Sequence, residues 1–249
     1  MTASGNARRQ EILKELGLMP LWRAKAPHTP HRAPPVETGF AEHIPANQIN
    51  VTEDRRSKIL RMGWDQLKMS VAGCTACPLC QSRTRTVFGV GAEDANWLYV
   101  GEGPGFEEDA AGEPFVGPSG KLLDNMLAAI NLKRGQNVYI ANIVKCRPPG
   151  NRNPNSDEAQ QCEPYLARQI ALIKPKLIVA LGKVAAQNLL HTDATLASLR
   201  GRLHEHSGIP VIVTYHPAYL LRTPQDKAKV WEDLCFARST MQSLLQSTI

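Results

Sequence analysis

Three of the chain's six cysteines fall within the seven residues CTACPLC, Cys74 to Cys80. Cys74 and Cys77 form a C-x2-C pair, a spacing at which two thiolates reach one metal centre. Cys146 stands alone in NIVKCRPPGNRNP, and Cys162 follows after a whole loop in EAQQCEPYL. A zinc ribbon repeats its C-x2-C knuckle; an iron–sulfur cluster is a larger body held by four thiolates and accepts irregular spacing. Cys80 keeps a second option open, because C-x2-C-x2-C supplies three ligands in bacterial ferredoxins. Cys235 sits in the last expected helix and reads as an unrelated buried thiol.

Two other stretches carry chemistry. GEGPG, Gly101 to Gly105, follows an apolar run as a dinucleotide fingerprint does. Its sixth position is Phe106, however, Pro104 stiffens the turn, and EEDAAGEPFVG intervenes before any expected helix, while GPSGK lacks the Gly-Lys-Ser/Thr order of a phosphate loop. Both nucleotide readings are set aside, which leaves a plain loop or a site of another kind. HPAYLLR places His216 at a strand end and Leu220 and Leu221 beside Arg222. An apolar pair next to a cation suits insertion into a base stack beside a phosphate, with simple core packing as the alternative. The loop around Cys146 adds Lys145, Arg147 and Arg152.

The elements that must position these residues alternate. NWLYVG, NVYIANIV, KLIVALG and IPVIVTY read as four strands, and SGKLLDNMLAAI, SDEAQQCEPYLARQIALI, KVAAQNLL and PQDKAKVWEDLCFARSTMQSLL as the helices between and after them. Asn155 or Ser156 is the expected cap of the second helix. Strand–helix alternation predicts a three-layer α/β/α domain around a central four-stranded parallel sheet, with ligands taken beyond the strands' carboxyl ends. Gly101 to Gly105, Asn142, Gly182 and His216 all fall at those ends.

At 249 residues, 43% hydrophobic and 21% charged, the chain can bury one sizeable core with an appendage. The net charge of +6 favours an anionic partner such as nucleic acid. No stretch resembles an export signal or a membrane span, so the expected location is the cytoplasm, where clustered cysteines bind metal more often than they pair. Residues 1–55 read as a short helix and a Pro-rich linker, and residues 56–249 as the compact domain.

Taken in order, CTAC, RTRTVFGVG, GEGPGFEEDAAGEPFVGPSGKLL, NIVKCRPPGNRNP, EAQQCEPYL, LRGRLHE and TYHPAYLLR resemble the family 4 uracil-DNA glycosylases, the iron–sulfur branch of the uracil-DNA glycosylase superfamily. The likeness runs from about Gly73 to the C-terminus and implies the same parallel-sheet fold. It implies an enzyme that flips uracil out of DNA and hydrolyses the N-glycosidic bond, leaving an abasic site. Phe115 would stack on the base, Asn142 would bond its Watson–Crick edge, and His216 would donate to the uracil O2. Glu102 would position water or stabilise the sugar cation, with backbone N–H groups near Gly103 holding the base. Relatives without a cluster carry an Asp where this chain has Gly103, so water activation by that route is missing here. Glu108 and Asp109 match an acidic pair that structures the loop. Leu220 and Leu221 become wedge candidates, and Arg222, Arg147, Arg152, Lys145, Arg200 and Arg202 candidates for phosphate contacts. The resemblance assigns a 4Fe–4S cluster to Cys74, Cys77, Cys146 and Cys162, with Cys80 as the departure.

The rival readings are a glycosylase for other deaminated bases and an iron–sulfur DNA-binding protein without turnover. The expected partner is uracil-containing DNA, with no membrane, for a monomer on the nucleoid of a bacterial-type cell. Outside the likeness, LGLMPLWRAKAP resembles the peptide by which the bacterial clamp-loader psi subunit docks on chi, which implies a replication-machinery partner.

Overall fold

The computed structural model describes residues 49–246, with side chains from Arg55 onward. The N-terminal helix, linker and docking peptide expected over 1–55 therefore lie outside the described residues, except where helix α1 (Ile49–Arg61) begins and runs across the expected domain start at Arg56.

Six strands form one sheet: β1 (Val90–Gly91), β2 (Trp97–Gly101), β3 (Val138–Asn142), β4 (Leu177–Leu181), β5 (Leu203–His206) and β6 (Ile209–Thr214). β2, β3 and β4 are buried at every position, as strands covered on both faces must be. The order is β1-β3-β2-β4-β6-β5. The four strands expected from sequence form the parallel centre, β3-β2-β4-β6. The expected central four-stranded parallel sheet is thus present, and two antiparallel edge strands not read from the sequence extend it, β1 on β3 and β5 on β6. A two-residue strand has no periodicity to read, and LHEH is too polar to count as a core strand. A sharper signal lay beside β5. His206 pairs with Ile209 across Ser207 and Gly208, whose φ values of 51° and 81° make the two-residue turn that joins β-hairpins.

Successive side chains leave a strand on opposite faces, and the core divides accordingly. Leu98, Val100, Ala141, Ile178 and Val213 pack with α1, α2 (Trp64–Ala72), α5 (Ser156–Ile173) and α6 (Lys183–Leu190). Trp97, Tyr99, Ile140, Val179 and Ile212 pack on the other face with α4 (Pro118–Ala129) and α9 (Lys227–Gln246). Each fully buried Leu or Ile in these layers contributes about 1.5–3 kcal/mol relative to an exposed one. Among the described residues there are also three short α-helices: α3 (Phe106–Ala111), α7 (Leu196–Leu199) and α8 (Pro217–Arg222). α3 corrects the expectation of an unstructured stretch after GEGPG. Its first turn forms because the Glu108 carboxylate reaches back to the Gly105 N–H. Asn155 caps α5 as expected, accepting from the Glu158 N–H. Among the described residues, no helix is long and apolar enough to cross a membrane.

Candidate active site

The carboxyl ends of the parallel strands bring four of the expected residues together. β2 runs into Glu102 and Gly103, β3 ends on Asn142, and β6 runs into His216. Gly101 pairs in register with Asn142. A Cβ on Gly101 would stand 2.5 Å from Asn142 Oδ1 and 2.6 Å from the Phe115 ring, so only glycine lets amide and ring meet over this strand end.

Phe115 arrives from the segment between α3 and α4, in the left-handed region at φ 56°, where a bulky side chain is strained. Its surroundings hold it there. Arg134 donates to the Pro114 carbonyl at 2.7 Å and the Phe115 carbonyl at 2.8 Å, and to Asp124 at 3.0 Å. The Glu108 carboxylate accepts from the N–H groups of Val116 and Gly117 as well as Gly105. Gly120 lets α4 lie against this backbone, since a Cβ there would meet the Phe115 carbonyl oxygen at 1.8 Å. Asp109 accepts from the Thr84 N–H, which ties α3 to the chain before β1. The acidic pair thus shapes the loop.

His216 is stacked on Phe115, with centroids 5.5 Å apart. Its Nδ1 accepts the Ala218 N–H at 3.1 Å, capping α8. That bond places the ring proton of the neutral form on Nε2. Burial, with the Arg222 charge helping, lowers its pKa to about 4, so the ring is neutral at pH 7. Asn142 is 2% exposed, and its Oδ1 is buried with no hydrogen-bond partner. Such an orphan acceptor costs about 1–3 kcal/mol and marks a place where a ligand's donor is awaited. Burial also raises the Glu102 pKa above the usual carboxylate range.

Glu102, Gly103, Phe115 and His216 line one cleft of about 500 Å³, together with Tyr219 and Arg222. Asn142 lies behind this wall, against Phe115 and Gly101. The arrangement can hold a flat ring on Phe115 and supply an acceptor and a neutral N–H donor to it. A larger cavity of about 960 Å³ lies between α5 and the end of α6, but none of the expected site residues lines it.

Two expectations are corrected. Leu220 is 1% exposed and belongs to the core, so only Leu221, at 47%, faces solvent as a wedge could. Helical spacing in α8 turns adjacent leucines to different faces. Lys145 is buried, donating to the Asn142 carbonyl and Gln169 Oε1, and is closed to a phosphate. Arg222 is exposed at the cleft; Arg152 lines it but is doubly bonded to Glu158. Arg147 donates to Asn151 Oδ1, and Arg200 pairs with Asp233. Sequence reasoning missed Arg134 and Phe106. Nothing local marks Arg134, whereas an unusually placed Phe directly after GEGPG was a visible signal.

Residues 88–235 match the model of the uracil DNA glycosylase superfamily. The chain is 44% identical to a type-4 uracil-DNA glycosylase of Archaeoglobus fulgidus, over 65% of this chain and 84% of the relative. It is 43% identical to one of Thermotoga maritima, over 68% and 90%, and 39% identical to one of Pyrobaculum aerophilum, over 70% and 92%. The chain belongs to the type-4 uracil-DNA glycosylases.

The thiols of this type-4 chain gather away from the cleft. Cys74, Cys77, Cys80, Cys146 and Cys162 line one small cavity with Arg83, Lys145 and Tyr165. Among the described residues no three His, Cys, Asp or Glu side chains converge on a single ion. The donor set is thiol alone, and N–H groups already face three of the sulfurs. Arg83 donates to Cys146 at 3.2 Å, the Lys145 N–H to Cys162 at 3.3 Å, and Arg55 approaches Cys74 at 3.7 Å. Soft donors ringed by cations and N–H groups fit an anionic, thiolate-held cluster. Burial pushes Cys162 up to about 12 and also raises Cys77 and Cys146. On Cys74 burial is outweighed by hydrogen bonds and by the Arg55 charge, and its pKa falls. α5 brings Cys162 into place around a break in its own ladder. Pro164 removes one bond there, and Arg55 donates to the Gln161 carbonyl in the same turn.

Proposed function

We propose that the chain hydrolyses the N-glycosidic bond of deoxyuridine in DNA, releasing uracil and leaving an abasic site. The observation that carries this reading is the buried, unpaired Oδ1 of Asn142, together with a neutral His216 that stacks on Phe115 and keeps its proton on Nε2. Uracil offers an N3–H to that oxygen and O4 to the amide nitrogen, with O2 free for His216. Cytosine presents the reverse pattern and would leave the pocket's groups unpaired, a penalty that discriminates strongly. A base inside a duplex cannot reach this depth, so the nucleotide must be extruded. Phe115, already clamped, receives the face of the ring.

As the bond between C1′ and N1 breaks, negative charge moves onto the base and positive character onto the sugar. A preformed donor aimed at the developing oxyanion lowers the barrier because nothing must reorganise. Neutral His216 suits the task, since it supplies an N–H without holding a charge in the ground state. Glu102, whose carboxylate burial makes more basic, stabilises the sugar cation and takes the proton of the attacking water. A protein that only bound DNA would gain nothing from an orphan acceptor at this depth.

The fit of the thiol set supports a 4Fe–4S cluster on Cys74, Cys77, Cys146 and Cys162, which when bound braces the segment after α2 against the loop after β3. No catalytic residue of the cleft lies among these thiols, so the brace is structural. Leu221 and Arg222 serve as wedge and phosphate contact. The test is incubation with an oligonucleotide carrying one deoxyuridine, followed by alkali. Strand scission at that position is expected; its absence would overturn the reading.

A further inference from the structure

α3 is turned the wrong way round for a surface helix. Its acidic Glu108 and Asp109 are buried, while its first residue, Phe106, is 66% exposed. Burying a Phe is worth about 1.5–3 kcal/mol, and the fold forgoes that here. The ring is nonetheless held. The Arg147 guanidinium lies over it, 5.1 Å from the centroid, and is itself fixed by a 2.6 Å bond from Nε to Asn151 Oδ1. Phe106 and Asn151 line the same cleft as Phe115 and His216. The base pocket therefore has, on its rim, a second aromatic surface backed by a cation.

We propose that Phe106, backed by Arg147, is a stacking platform for an unpaired base next to the extruded uracil. An aromatic face with a guanidinium beside it is the chemistry that grips single-stranded nucleic acid, because every base has a π-face and every step a phosphate. The bases of a duplex have their faces occupied, so the platform favours single-stranded substrate. Glu107, the acid next to Phe106, has its carboxylate turned toward Gly117, which lessens its repulsion of a phosphate there. The inference rests on DNA being the substrate of the cleft.

The test compares Phe106→Ala, Phe106→Trp and wild type on a single-stranded oligonucleotide with one deoxyuridine and on the matched duplex, by anisotropy and by excision rate. Phe106→Ala should weaken single-strand binding about 5- to 150-fold, the range measured for base–aromatic stacking. The loss should fall on KM, leave kcat within about twofold, and be restored by Phe106→Trp. Arg147→Ala should lose in the same direction, and the double variant should lose less than the sum. Wild-type binding by Phe106→Ala, a loss confined to duplex, or a fall in kcat alone would each overturn the platform. The underlying reading fails separately. Wild-type protein that never releases uracil, while Phe106→Ala still weakens binding of an oligothymidine strand, removes the glycosylase reading and leaves the platform standing.

Discussion

His216 enters the reaction already neutral, and its pH behaviour follows from that. Its folded pKa of about 4 lies below the ordinary 6.5, chiefly through burial. The part of activity that needs the neutral ring is thus flat from pH 7 downward and falls only as pH drops through about 4, while the buried Glu102 carboxylate, whose pKa is raised, takes up its proton at a higher pH than an exposed one. Stability has the same sign. Above 6.5 neither state takes up the proton, and as pH falls toward 4 the unfolded chain gains it first, costing at most about 3 kcal/mol. His216→Ala should lower kcat about 10²–10³-fold and flatten the denaturation midpoint between pH 6.5 and 4. A variant whose stability keeps the wild-type slope would show that another group titrates there. Asn142→Ala separates the two roles differently. Uracil excision should fall by a comparable factor, but stability should change by no more than about 1 kcal/mol, because an orphan acceptor leaves with the side chain. Urea denaturation and single-turnover excision read the two effects.

Phe115 depends on Gly120, Arg134 and Glu108, which act on its backbone and that of its neighbours. Gly120 shows this most sharply. In an exposed helix interior Gly→Ala gains about 1 kcal/mol, yet here the added methyl would meet the Phe115 carbonyl at 1.8 Å, and the sign inverts. Gly120→Ala should lower both melting temperature and excision. Arg134→Lys should cut kcat/KM about 10- to 100-fold, because a single ammonium cannot bond two carbonyls and Asp124 at once. Unchanged kinetics would mean that Glu108 alone fixes the segment. These same elements mark the limit of what could be read from sequence. The parallel strands were legible because two-sided burial demands unbroken apolar runs, and with them came the strand ends that carry Glu102, Asn142 and His216. The clamp was not, since Arg134 acts across a turn through backbone carbonyls that no motif records. Leu220 and Lys145 were misplaced for a related reason: adjacent letters in LLR and VKC look alike on paper, and only the fold decides which of them faces inward.

For the whole molecule, the cysteines and the cleft divide the work. Cys74 and Cys77 follow α2, Cys146 lies in the loop after β3, and Cys162 is on α5, so one cluster would join three segments that the sheet alone leaves to loops. The same loop carries Arg147 and Asn151, which support Phe106 at the cleft. Binding free energy of such a centre is folding free energy for whatever it ties down. The fifth thiol, Cys80, lines the same cavity and decides between two ligand sets. The sulfurs of Cys146 and Cys162 are buried and already receive N–H groups, as cluster ligands do. Cys162→Ser should therefore lose iron, acid-labile sulfide and the visible absorption band, and should melt at a lower temperature. Cys80→Ser should keep all of them. Loss of iron from Cys80→Ser with retention by Cys162→Ser would move the ligand set to the ferredoxin-like run of Cys74, Cys77 and Cys80. The iron-depleted protein adds a functional reading. If the cluster braces the loop and takes no part in bond cleavage, depletion should weaken binding of single-stranded DNA before it lowers the excision rate at saturating substrate, and a loss of kcat alone would place the cluster's influence inside the cleft instead.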